Sequence, residues 1–171
     1  MAGKKIIQIV GFQNSGKTTL IEQLIKACKE KGLRIGTIKH HGHGGKPDRA
    51  VNDKDTGRHM AAGATAAAVE GAGSLHIEVS QNQWKLEDIL QIYDLLPLDI
   101  ILVEGYKKLS CPKVVLLRNR EDDFLLDELS NIVAVVSRRQ MIGQRSIPFF
   151  RLEETEPFIK WFFNNIVCKQ H

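Results

Sequence analysis

Apolar positions along the chain fall into short runs whose period changes from one to the next. Residues 4–10, Lys-Lys-Ile-Ile-Gln-Ile-Val, make a β-branched run of strand length. Across residues 19–31, Leu20, Ile21, Leu24, Ile25 and Cys28 recur at three- and four-residue intervals, which predicts an amphipathic helix ended by Gly32. Residues 34–39 predict a second strand and residues 53–60 a short helix. Small residues over 64–69 and the alternation over 75–79, with Gly71-Ala72-Gly73 between them, predict a β-hairpin around residues 64–80. Leu86, Ile89, Leu90, Tyr93 and Leu96 place a helix over 86–96, stopped by Pro97. Residues 99–103, 113–117 and 131–136 are nearly all apolar, the pattern of strands buried on both faces. A last strand over 147–150 belongs at a sheet edge because of Pro148. The final helix, 155–167, carries Pro157 in its first turn, where proline is tolerated.

Strands alternating with helices predict an α/β fold: a mainly parallel sheet flanked by helices, with right-handed crossovers. At 171 residues, without internal repeat or dividing linker, residues 1–171 are expected to form a single domain. The 43% hydrophobic and 26% charged composition is that of an ordinary globular chain. A net charge of +4 favours anionic ligands, yet Lys and Arg are spread along the sequence, so no nucleic-acid partner is expected. Cys28, Cys111 and Cys168 are widely spaced and odd in number, which argues for reduced thiols over a disulfide or zinc framework. With no signal h-region and no apolar run of spanning length, the expectation is a cytoplasmic protein without a membrane partner.

Between the first strand and the first helix stands Gly11-Phe12-Gln13-Asn14-Ser15-Gly16-Lys17-Thr18, followed by Thr19. It fits G-x-x-x-x-G-K-[ST], the Walker A phosphate loop, in the strand–turn–helix context that gives the motif its meaning. Gly11 and Gly16 let the backbone curl so that successive N–H groups converge on phosphate oxygens. The helix N-terminus adds donors and its dipole. Lys17 is expected to reach the β- and γ-phosphates, and the Thr18 hydroxyl to ligate the accompanying magnesium. In such sheets the ligand lies beyond the carboxyl ends of the strands. Glu104, directly after Ile100-Ile101-Leu102-Val103, is therefore placed to face that magnesium, directly or through water; the competing reading is an exposed charge at a strand end.

Further elements follow in order: Gly36-Thr37-Ile38-Lys39-His40, then Asp55-Thr56 with Arg58 and Ala62-Gly63-Ala64, then Val103-Glu104-Gly105-Tyr106-Lys107. Together with the phosphate loop, this series resembles the molybdopterin-guanine dinucleotide biosynthesis protein B family. The likeness spans residues 5–118, with Ile147-Pro148 a weaker echo. Its members are similar to P-loop GTPases, bind GTP with magnesium, form dimers, hydrolyse slowly, and assist the guanylyltransferase that joins GMP to molybdopterin. The resemblance thus implies GTP and Mg2+ as cofactors and molybdopterin as a shared ligand. Its implied partners are that guanylyltransferase and a second copy of the chain. Gly11, Gln13, Asn14, Ser15, Gly16, Lys17, Thr18 and Thr19 would bind phosphates. Lys39, His40 and Lys107 match further motif positions of the nucleotide site. Lys17 and Glu104 would carry what catalysis there is, and Thr18, Glu104 and Asp55 would serve the metal. For Asp55, a charge at a helix N-terminus interacting with the dipole explains the residue equally well.

Four features admit two readings each. Asn119-Arg120-Glu121-Asp122 approaches the guanine-reading N-K-x-D but is also an ordinary polar turn after a strand. His40-His41-Gly42-His43 holds three imidazoles, yet its spacing suits a loop over a ligand better than a preformed metal site. The stripe Phe158, Ile159, Phe162, Phe163 and Ile166 reads as core, or in part as a partner surface. Finally, a weak GTPase-type accessory protein competes with a small-metabolite kinase, whose lid would draw on Arg138, Arg139 and Arg145.

Overall fold

A computed structural model describes residues 4–41, 54–107, 109–139 and 146–168. The chain divides into two compact units, one of residues 1–42 and 93–171, the other of residues 43–92. The first is built on a six-stranded sheet in the order β2-β5-β1-β6-β7-β8. Its strands are β1 (Lys5–Gly11), β2 (Ile35–Lys39), β5 (Ile100–Glu104), β6 (Lys113–Leu117), β7 (Ile132–Ser137) and β8 (Phe149–Arg151). Every pairing among them is parallel. The expected mainly parallel α/β sheet is therefore observed.

Burial on both faces explains the unbroken apolar runs. On one face Ile7, Ile9, Leu102 and Val114 pack against Leu20 and Leu24 of α1 (Lys17–Glu30) and Phe158 and Phe162 of α5 (Thr155–Phe162). On the other face Val10, Val115, Leu117 and Val135 meet Leu125 and Leu126 of α4 (Leu125–Glu128). Each such side chain taken from water stabilises the fold by about 1.5–3 kcal/mol. The aromatic stripe of the last helix is thus core: Phe158 and Phe162 are fully buried, and Ile159, Trp161 and Ile166 pack against the same cluster. The helix ends as α at Phe162 and continues as a π-turn over Phe163–Val167.

β8 lies at the sheet edge, as Pro148 predicts. It starts one residue after the proline, whose carbonyl still accepts a bond from Val135 N–H at 2.9 Å. A 3-10 turn at Arg120–Asp122 and the four-residue α4 have no counterpart in the sequence reading, because neither is long enough to display a period.

The second unit contains α2 (Lys54–Ala61) and an antiparallel hairpin, β3 (Ala66–Gly71) with β4 (Ser74–Val79). Ala72 and Gly73 join the strands with φ of 49° and 79°, the left-handed pair that a two-residue hairpin turn demands. The predicted hairpin is present, but as a two-stranded sheet of its own and not as an addition to the parallel one. Helix α3 (Leu86–Asp94) ends two residues short of Leu96 and carries the chain back into the first unit. No helix among the described residues is long and apolar enough to cross a membrane.

Candidate nucleotide site

β1 is the topological centre of the sheet, with β5 on one side and β6 on the other. Its carboxyl end is therefore the crevice where ligands of open α/β sheets bind. The segments that leave β1, β5 and β6 carry most of the residues singled out above.

The loop after β1 is built around absent side chains. A Cβ on Gly11 would lie 2.7 Å from the Leu116 carbonyl oxygen and 2.7 Å from Ser15 Oγ. Gly16 caps α1 in a left-handed conformation (φ 94°), and a Cβ there would meet Leu152 at 2.7 Å. No side chain caps the helix and no acidic residue sits in its first turn. The donors and the positive dipole end are accordingly left for an anion. Gln13 and Asn14 of the loop and Thr18 and Thr19 in the first turn of α1 are exposed, whereas Ser15 is buried within the loop.

Lys17 folds back over this loop and donates to the Phe12 carbonyl at 2.7 Å. Its pKa is lowered, first by burial; Glu104 opposes that, while Lys107, Lys39 and Arg118 lower it further. Four cations thus share one neighbourhood with Glu104, which suits a polyphosphate far better than a neutral ligand. Glu104 ends β5 opposite Ile9 of β1 and Lys39 of β2, largely buried, with Lys39 Nζ 3.8 Å from its carboxylate. His40 donates its backbone N–H to the Glu104 carbonyl at 2.9 Å, and its ring lies 4.4 Å from that of Tyr106. Lys107 stands 4.0 Å above the Phe12 ring, and the Arg118 guanidinium 4.9 Å from it.

This donor set fits a magnesium nucleotide. Thr18 and Glu104 would supply hard oxygen ligands of the kind magnesium takes while keeping most of its water. No cluster of three or more His, Cys, Asp or Glu side chains marks a protein-only metal cage among the described residues. Of the histidine loop, Gly42 and His43 fall outside the described residues, as does Arg145. Asp55 sits in the first turn of α2, in the second unit, 3.9 Å from Arg58 and exposed.

The turn after β6 resolves one open reading. Asp122 is 1% exposed, and Arg118 takes its carboxylate with Nε at 2.9 Å and Nη2 at 2.8 Å. The Arg118 backbone N–H adds a third bond at 2.9 Å. These bonds hold the Asp122 carboxyl below the usual carboxylate range. The pair therefore stabilises the fold above the unfolded carboxyl's titration range, and that stability is lost as pH falls through the lower folded value. The Asp122 carboxylate is committed to Arg118, as in a polar turn that closes on its own strand end. Arg139, for its part, is tied to Asp123.

Sequence reasoning passed over Phe12 and Arg118, whose roles depend on neighbours distant in the chain. It also passed over two buried polar side chains that carried a legible signal: Gln8 inside an apolar strand and Lys113 heading one. They are register partners on β1 and β6. Gln8 Nε2 donates to the carbonyls of Gly105 (3.2 Å) and Tyr106 (2.8 Å), bracing a turn in which Tyr106 has φ 54°. Lys113, fully buried, donates to the carbonyls of Leu109 and Cys111, and burial pushes its pKa down. Both ends of the connection that carries Lys107 are thus pinned from beneath by strand residues.

Fold and site together define a P-loop protein of the parallel-sheet NTPase-like class. The family model described as molybdopterin guanine dinucleotide synthesis protein B matches residues 6–138, and the chain belongs to that family. A probable molybdopterin-guanine dinucleotide biosynthesis adapter protein of Bacillus subtilis is 44% identical over 151 residues, covering 87% of this chain and 86% of its own. The adapter protein of Escherichia coli is 33% identical, with 80% and 82% covered. In three dimensions the crystal structure of Bacillus subtilis MobB superposes with a TM-score of 0.83 at 38% identity, over 96% of this chain and 99% of that one. The chain is accordingly an adapter-type protein of molybdopterin-guanine dinucleotide biosynthesis.

Proposed function

We propose that this protein binds Mg-GTP in the cytoplasm and assists the guanylyltransferase that attaches GMP to molybdopterin, hydrolysing GTP slowly if at all. The observation that carries the reading is the convergence of Lys17, Lys107 and Arg118 on Phe12 of the phosphate loop, with Lys39 3.8 Å from Glu104. In this reading Gly11 and Gln13 to Thr19 hold the phosphates, while Lys39, His40 and Lys107 line the site. Thr18 and Glu104 hold magnesium, while Asp55, exposed in the second unit beside Arg58, is left out of the proposed metal site. Lys17 and Glu104 carry any catalysis. Guanine as the base, and molybdopterin as a shared ligand, rest on family membership.

Equilibrium titration with Mg-GTP and Mg-ATP tests it. GTP is expected to bind in preference to ATP, and Lys17→Ala to weaken binding tenfold to about a hundredfold, the worth of a charge-assisted hydrogen bond. Preference for ATP would shift the assignment towards a metabolite kinase. Binding that is indifferent to Lys17→Ala would remove the site.

A second copy of the chain is the further partner proposed. Leu75, Ile77 and Val79 share one face of β4 and are 60%, 58% and 37% exposed. A lone two-stranded sheet is marginal in water, and among the described residues neither strand pairs with a third. Joining two such faces buries them. Sedimentation at micromolar concentration should give a dimer for the wild type and a monomer for Ile77→Lys; a monomeric wild type ends the proposal.

A further inference from the structure

Among the four cations at the phosphate loop, Arg118 is held in a manner unlike the others. It follows β6 directly, on the opposite flank of β1 from Glu104. Asp122 grips Nε and Nη2, the Phe12 ring lies under the guanidinium, and Nη1 stands 3.4 Å from the Gln13 carbonyl oxygen. The side chain is nonetheless 38% exposed. Asp122 is 1% exposed, so the pair stabilises the fold, yet Nε and Nη2 alone make it and Nη1 is left over, on the side of the loop. Bracing matters when a planar donor must already stand in place as a ligand arrives.

The contacts also show which part of a ligand it meets. Lys17, the residue that reaches the β- and γ-phosphates in loops of this kind, touches the Phe12 carbonyl, and Arg118 touches the next carbonyl along, that of Gln13. The two cations converge on the same end of the loop, that of Phe12 and Gln13. Both contacts are to loop carbonyl oxygens, weaker acceptors than a phosphate.

We propose that Arg118 is a phosphate-binding residue supplied in cis: Nη1 donates to the outermost phosphate of a bound nucleoside triphosphate, with Asp122 as the positioning residue. The site then distinguishes triphosphate from diphosphate by a contact that only the former completes. This rests on the nucleotide-binding reading above and adds to it the group that senses the terminal phosphate.

The test compares Mg-GTP with Mg-GDP, by titration, for wild type and for Arg118→Gln/Asp122→Asn. The double substitution avoids leaving a buried, unpaired Asp122 carboxylate, and the melting temperature reports that it folds. Expected is a loss of about tenfold or more in GTP affinity with GDP affinity changed less than about threefold. Arg118→Lys, which keeps a cation opposite Asp122 but lacks the fork, should show the same selective loss, and it decides the matter if the double variant does not fold. Equal losses on both nucleotides, or none on either, overturn the inference while the wild type still binds GTP. A wild type that binds neither nucleotide overturns the nucleotide reading itself and this inference with it.

Discussion

Gly11→Ala should lower GTP affinity about a hundredfold and destabilise the protein by about 3 kcal/mol, although it adds a single methyl group. The new Cβ would stand 2.7 Å from the Leu116 carbonyl oxygen and from Ser15 Oγ. Leu116 O is backbone in the centre of a parallel ladder, paired with both β1 and β7, so it cannot swing aside. Gly11 itself is the last residue of β1 and the first of the loop. Relief must come from the loop moving away from the sheet. Overpacking of this kind costs about 1–3 kcal/mol or more, and displaced loop donors lose charge-assisted hydrogen bonds worth about 1.5–3 kcal/mol each, up to about a hundredfold in affinity. Isothermal titration and a thermal melt on one preparation measure both effects. An affinity within about threefold of wild type, against the hundredfold loss that broken phosphate contacts imply, would show that the loop absorbs the methyl in place.

Phe158→Ala separates stability from binding. Phe158 is fully buried and touches the rings of Phe150 (5.4 Å), Trp161 (5.8 Å) and Phe162 (6.3 Å). Truncation removes a large apolar side chain and leaves a cavity that neighbouring rings, held by α5 and β8, fill only in part. The expected cost is about 3–5 kcal/mol, a fall in melting temperature of roughly 10–15 °C for a chain of this size. None of these rings reaches the phosphate loop, so GTP affinity well below the new melting point should stay within about twofold, as expected for independent sites. Scanning calorimetry together with titration at low temperature reads both. A large loss of affinity at a temperature where the variant is folded would mean that the α5 face of the core is coupled to the site.

The hydrophobic period alone set out the parallel-sheet strands and the helices, because buried strands and amphipathic helices write their environment into local order. β6 falls at the predicted residues, and most other ends differ by one or two. Walker A was legible for the same reason: its chemistry is made by the backbone of eight consecutive residues. The elements that escaped are those whose partner lies far along the chain. The α4 turn exists because Leu125 and Leu126 cover one face of β6 and β7. The last helix declares its apolar stripe in sequence, but only the sheet beneath it decides that the stripe is core.

The site divides along the same line. Local sequence determined the phosphate loop, the helix behind it, Glu104 at the end of a buried strand, and the family to which these belong. Tertiary structure decided what surrounds them. Strand order places β5 and β6 on either side of β1, and so brings Lys39, Lys107 and Arg118 to one loop from three separate segments. It also makes Asp122, the end of a polar turn that only approaches a base-reading motif, the anchor of Arg118. Backbone conformation and burial are short-range consequences of residue type and period, and a sequence displays them. Convergence of charges depends on which strands become neighbours, and that is decided only when the sheet closes around its core.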